Sequence, residues 1–180
     1  MLSSYLNGIN NVGQVTAWKS VNEHFVSYVY SGNSWAKVDD PVGATGSLIV
    51  NINDNGTSVG WDEYPPELDT SNVVRWDGTA VTKLDTLGFG YITQAMDINN
   101  QGVIAGSGWA GSSIHAIRWN GTAATDIGTL GGSSSNAWGI NESGQIAGSA
   151  ATAGDDAVHA ARWDANVIVD LGTLGGSSSR

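Results

Sequence analysis

Apolar residues in this chain come in short runs, and Gly, Asn, Asp and Ser stand between them. That is the pattern of β-strands joined by turns, and no stretch carries the 3.6-residue apolar period of an amphipathic helix. In the last quarter the predicted strands are Ala137 to Asn141, Gln145 to Ser149, Val158 to Trp163 and Val167 to Leu171. Asp77-Gly78 and Asn120-Gly121 are strong signals for two-residue hairpin turns, and Asn141 to Gly144 suits a type I turn followed by Gly at positive φ.

The same order of runs occurs four times. The phrase Ile-Asn, two residues, then Gly starts at Ile9, Ile52, Ile98 and Ile140, at spacings of 43, 46 and 42 residues. A second phrase follows each: Val29-Tyr30-Ser31-Gly32, Arg75-Trp76-Asp77-Gly78, Arg118-Trp119-Asn120-Gly121 and Arg162-Trp163-Asp164-Ala165. Four strands in about 43 residues is the size of a propeller blade, whose faces are buried by stacking on neighbours around an axis. The sequence therefore predicts an all-β, β-propeller-like fold of four four-stranded blades in a single repeat domain over 1–180. The units lie near 9–51, 52–97, 98–139 and 140–180. A β-solenoid and a fragment of a longer repeat array are the alternatives. Ser177 to Ser179 stops where Ser3-Ser4-Tyr5 takes up the repeat. This predicts that residues 1–8 complete the last unit, closing a ring alone or as an eight-bladed homodimer.

The runs His115 to Asn120 with Asp126 to Gly132, and His159 to Asp164 with Asp170 to Gly176, resemble the HAF repeat. Val26-Ser27 and Asn72-Val73 stand where the His-Ala pair would fall in the first two units. HAF is a bacterial repeat of secreted and surface proteins with no assigned catalysis. The resemblance implies an extracellular protein and no active site. The opening Met1 to Gly8 has neither the basic nor the apolar segment of a signal peptide.

Composition narrows the partners. The chain has 7 basic and 17 acidic residues, a net charge of −10, which disfavours nucleic acid and anionic membrane. No run reaches the ~20 apolar residues of a membrane helix. With no Cys there is no disulfide, thiol nucleophile or thiolate site. Trp is abundant at 8, so Trp76, Trp119 and Trp163, with Tyr30 in the matching place, are expected between blades.

Several residues could carry chemistry. Two-residue turns at Asn120-Gly121 and Asp164-Ala165 set His115 opposite Asp126 and His159 opposite Asp170. These are expected to be structural pairs, because they sit on different blades and do not converge. Asn53-Asp54-Asn55-Gly56 is superficially like a calcium loop, but its counterparts lack the alternating acids and the distant Glu. No metal or cofactor is expected. The segment that breaks the repeat is Trp61-Asp62-Glu63-Tyr64-Pro65-Pro66-Glu67-Leu68-Asp69. In a propeller its counterparts emerge on the same face and bring Trp18, Trp109, Asp155 and Asp156. Aromatic rings stack on sugars and carboxylates accept hydroxyls, so this face is the expected binding rim for a polar or carbohydrate ligand. A non-enzymatic binding module is the leading reading. A carbohydrate hydrolase using Glu63 and Asp155 is the alternative, and a structural spacer is the third.

Overall fold

The computed structural model describes residues 4–64, 71–88, 91–165 and 167–179. Four separate four-stranded antiparallel sheets follow one another along the chain, each a meander in sequence order. The first blade holds β1 (Ser4–Ile9), β2 (Val15–Val21), β3 (His24–Ser31) and β4 (Ser34–Lys37). The second holds β5 (Gly46–Ile52), β6 (Thr57–Glu63), β7 (Val73–Asp77) and β8 (Ala80–Lys83). The third holds β9 (Tyr91–Ile98), β10 (Val103–Ala110), β11 (Ser113–Asn120) and β12 (Ala123–Asp126). The fourth holds β13 (Gly131–Ile140), β14 (Gln145–Thr152), β15 (Val158–Asp164) and β16 (Val167–Gly172). Among the described residues the one helical element is a 3-10 turn at Ala153–Asp155. Separate antiparallel meanders are blades, not the coils of a solenoid.

The cores lie between blades. Trp76 packs with Val74 and Ile49 against Val29 and Val38 of the first blade. Trp119 packs with Ile104 and Ile117 against Val59, Val73 and Leu84 of the second. Trp163 packs with Ala161 and Ile146 against Ala105, Ala116 and Ile127 of the third. The indole N–H groups of Trp76 and Trp119 donate to the carbonyls of Asp39 (2.9 Å) and Asp85 (2.7 Å) on the preceding blade, so a large apolar ring is buried with its polar atom satisfied.

Two features differ from the sequence reading. Residues 4–9 pair with β2 in the first blade rather than completing the last one. The Asn10–Gly13 turn makes this a local hairpin, whose closure costs far less entropy than joining the two ends of the chain. The hairpin register is also shifted. Asn120 pairs with Ala123, so the turn residues are Gly121 and Thr122. Gly121 has φ of 63° and supplies the positive φ at the first turn position, where the Asn-Gly reading puts it at the second.

Candidate functional site

The predicted rim is built from the outer hairpin ends. On the first blade the rings of Tyr5 and Trp18 stack with centroids 4.4 Å apart, and Phe25 meets Trp18 edge-on at 4.8 Å. Tyr5 and Trp18 are cross-strand partners and Phe25 lies on the next strand, so the pleat itself sets the stack. Glu63 of the second blade accepts the Phe25 N–H at 2.9 Å and ties the two blades at this edge. Trp61 is half-buried in β6. Asp62 beside it is buried, accepts the Asn72 backbone and side-chain amides, and lies 3.4 Å from Lys83. Lys83 also meets the hydroxyl of Tyr64. Glu67 and Asp69 lie outside the described residues.

The other rim residues stand apart from this cluster. Trp109 is on β10 of the third blade, beside a small cavity it shares with Gln94, Ile114 and Asn136. On the fourth blade Asp155 accepts the Ser133 N–H at 2.7 Å, and Asp156 is exposed. Glu63 and Asp155 are thus separated by the whole third blade, and each is engaged by a backbone N–H. The structure brings Trp18 together with Tyr5, Phe25 and Glu63, and, as a separate group, Asp62 and Tyr64 with Lys83.

Both histidines meet the aspartates expected. His115 Nδ1 is 2.6 Å from Asp126, and its Nε2 is 3.1 Å from the Ser133 carbonyl of the next blade. His159 Nδ1 is 2.9 Å from Asp170. The strand partners of the two aspartates are Ile117 and Ala161, so each His reaches its acid diagonally along one face. Hydrogen bonds from His159 and from the Gly172 N–H hold the Asp170 carboxyl below its ordinary range.

The Ile-Asn phrase has a role beyond turning the chain. In each repeat the Asn Oδ1 closes its own turn, as Asn53 does on the Thr57 N–H at 3.0 Å. The amide then crosses to the next blade. Asn10 Nδ2 donates to the Asn53 carbonyl (2.8 Å), Asn53 to that of Asn99 (2.9 Å) and Asn99 to that of Asn141 (3.1 Å). A second line runs beside it. The Asn11 N–H donates to Asp54 (2.8 Å), the Asp54 N–H to the Asn100 side chain (2.8 Å) and the Asn100 N–H to Glu142 (3.1 Å). Asparagine is needed here because it accepts and donates at once. The turn reading missed this ladder; its trace in the sequence is that the first Asn is identical in all four turns while the next position varies.

Beside the ladder, a polar cavity of about 180 Å³ is lined by Asn10, Asn53, Asp54, Asp97, Asn100 and Glu142. The carboxylate oxygens of Asp54 face N–H donors of Asn11 and Asn100, which lower its pKa. Among the described residues no group of three His, Asp or Glu is placed to hold a metal ion.

No protein-family model and no curated protein matches the chain. Solved structures do. A protein described as a TolB of Agrobacterium tumefaciens is similar at 13% identity and a TM-score of 0.66, over 96% of this chain and 62% of that one. The β-propeller domain of the Trilobed protease from Pyrococcus furiosus is similar at 11% identity and a TM-score of 0.61, over 97% and 53%. The acylaminoacyl peptidase of Pyrococcus horikoshii is similar at 13% identity and a TM-score of 0.62, over 97% and 27%. The chain spans less than two thirds of the length of each. At these identities the likeness establishes the fold, a β-propeller arrangement of blades, and nothing of the chemistry.

Proposed function

We propose that this chain is a non-enzymatic binding module that holds a neutral polar ligand, a carbohydrate, on the aromatic edge where the first and second blades meet. The observation that carries this reading is the Tyr5–Trp18–Phe25 stack, fastened through the Phe25 N–H to Glu63. Half of the Tyr5 surface is open. A sugar ring laid on such a stack buries its C–H face against the rings, while its hydroxyls meet carboxylate and phenol oxygens at the border. Asp62, Glu63 and Asp155 are occupied by N–H donors, which suits carboxylates that shape a rim better than a hydrolytic acid and base. The resemblance to the HAF repeat adds an extracellular setting to the proposal.

The test is retention on a glycan array, followed by calorimetric titration with any glycan retained. The proposal expects binding that Trp18→Ala abolishes and Trp109→Ala leaves intact. Retention of no glycan, or equal binding by Trp18→Ala, overturns it.

A further inference from the structure

The outward faces of the first and last blades carry the two halves of the contact that recurs inside the molecule. We infer that two copies of this chain associate head to tail, with the open face of the first blade of one copy seated on the open face of the fourth blade of the other. This goes beyond the ligand edge; the two regions share Trp18, which also borders the open cavity of the first blade, and the tests use Leu6 and Leu171 instead.

The argument rests on equivalent positions. Ile49, Ala95 and Ala137 on the inner strands of the later blades are fully buried by the blade before them. Leu6 holds that position in the first blade and is 71% exposed. Val81, Ala124 and Ile168 pack beside the three tryptophans, whereas their counterpart Trp35 is 49% exposed next to Tyr30. Together with Ala17, Lys19 and Tyr28, Leu6 and Trp35 border a cavity of about 350 Å³. The complementary half lies on the fourth blade. Val38, Leu84 and Ile127 are buried under the next blade's tryptophan, but their counterpart Leu171 is 56% exposed.

Polar groups repeat the same match. Asn141 gives one amide hydrogen to Gln145 at 2.8 Å, as Asn10 gives one to Gln14 at 2.7 Å. The other hydrogen, which crosses to the next blade at Asn10, Asn53 and Asn99, meets no acceptor among the described residues. At the opposite end the Asn10 carbonyl receives its own turn bond from Gly13 and, among the described residues, no side-chain amide. In the assembly the Asn141 amide donates to the partner's Asn10 carbonyl, and the Glu142 N–H to the partner's Asn11 side chain. Ser179 accepts the Ala160 N–H at 2.8 Å, as Ser135 accepts that of Ala116 at 2.9 Å one blade earlier, so it holds the place that the partner's Ser4 takes and yields it on assembly. Contact between two different faces is heterologous, so each added copy presents a fresh face unless the ring closes.

Sedimentation velocity on the 180-residue chain tests this directly. The expected result is a mass that rises with concentration from 18.6 kDa to twice that or more. Leu6→Glu and Leu171→Glu each bring a charge into the contact and raise the apparent dissociation constant at least about a hundredfold. Both positions are exposed in the single chain, so both variants keep the wild-type circular dichroism. Mixed in equal amounts, they associate into a species of two chains and stop there, because each supplies the face the other lacks. A wild-type chain that stays at 18.6 kDa to millimolar concentration overturns the inference and leaves the two faces to other partners. So does a single variant that assembles like the wild type, or a mixture that stays monomeric.

Discussion

The first and third blades share a strand order and differ in what holds them. In the third, Trp119 is sealed between blades with its N–H on the Asp85 carbonyl, Ala95 is fully buried, and Gly106 lies where the inner strand bulges. In the first, Tyr30 replaces the tryptophan, Leu6 replaces the alanine and Ala17 replaces the glycine. A Cβ at Gly106 would overlap the Gln94 carbonyl oxygen, and Gly60 and Gly148 face the same obstacle. Ala17 takes that place although the first blade bulges at the same point, between its partner Leu6 and Ile9, and nothing in the structure explains why its methyl is accommodated. A repeat sequence therefore records more than its strand order. It marks which copies are packed on both faces.

The sharpest way to break this comparison is to truncate the aromatic residue of each blade. Trp119→Ala should cost about 3–5 kcal/mol, because it opens a large cavity between two blades and strands the Asp85 carbonyl. Trp35→Ala should change stability by no more than about 1 kcal/mol in a dilute monomer, since half of that ring is in water. Urea unfolding of both variants measures the difference. Equal losses would mean that the first blade's face is covered in the monomer after all.

A smaller effect is expected at the bulge. Gly106→Ala forces the strand away from the Gln94 carbonyl and should cost about 1–3 kcal/mol, the range for overpacking. Ala17→Gly, the reverse exchange at the matching place, should cost about 0.5–1 kcal/mol through chain entropy alone. Comparable urea midpoints for the two variants would show that the bulges of the two blades are interchangeable.

How far the sequence shows all this depends on the range of each interaction. The 43-residue period, the strand runs and the interface role of Trp76, Trp119 and Trp163 are legible because alternation, turn chemistry and ring size act locally. The His115–Asp126 and His159–Asp170 pairs are legible too, although the hairpin register shifts once Gly121 takes the first turn position. The Asn10–Asn53–Asn99–Asn141 ladder is not legible. Asn suits a turn for reasons confined to the turn, so its identity in all four turns does not by itself point to a bond 42 to 46 positions away. The same holds for Glu63, whose partner Phe25 is 38 positions away and on another blade. The matching Ser runs point to residues 1–8 completing the last unit, but pairing of β1 with β2 is a nearby hairpin, and proximity decides it.

Two aspartates extend the contrast between packed and open blades to pH. Asp97 lies between the second, third and fourth blades. It accepts the Ile98 and Ile140 N–H groups at 2.9 and 2.8 Å and the Asn51 amide at 2.7 Å. Burial nevertheless outweighs these bonds and lifts its pKa above the ordinary 3.8. The folded protein then holds a proton that the unfolded chain has released, so Asp97 contributes stability at low pH that is lost as pH rises through its folded value. Asp170, on the outer edge of the fourth blade, is shifted the other way by His159 and Gly172. Its contribution is present above 3.8 and is lost as pH falls through its lowered folded value. Asp97→Asn should flatten the decline in stability on the alkaline side of 3.8, and Asp170→Asn the decline on the acid side. Urea midpoints for the wild type and both variants, taken from pH 3 to 7, separate the two limbs. If Asp97→Asn left the upper limb unchanged, burial among three blades would not be what governs that carboxyl, and the packed and open regions would titrate alike.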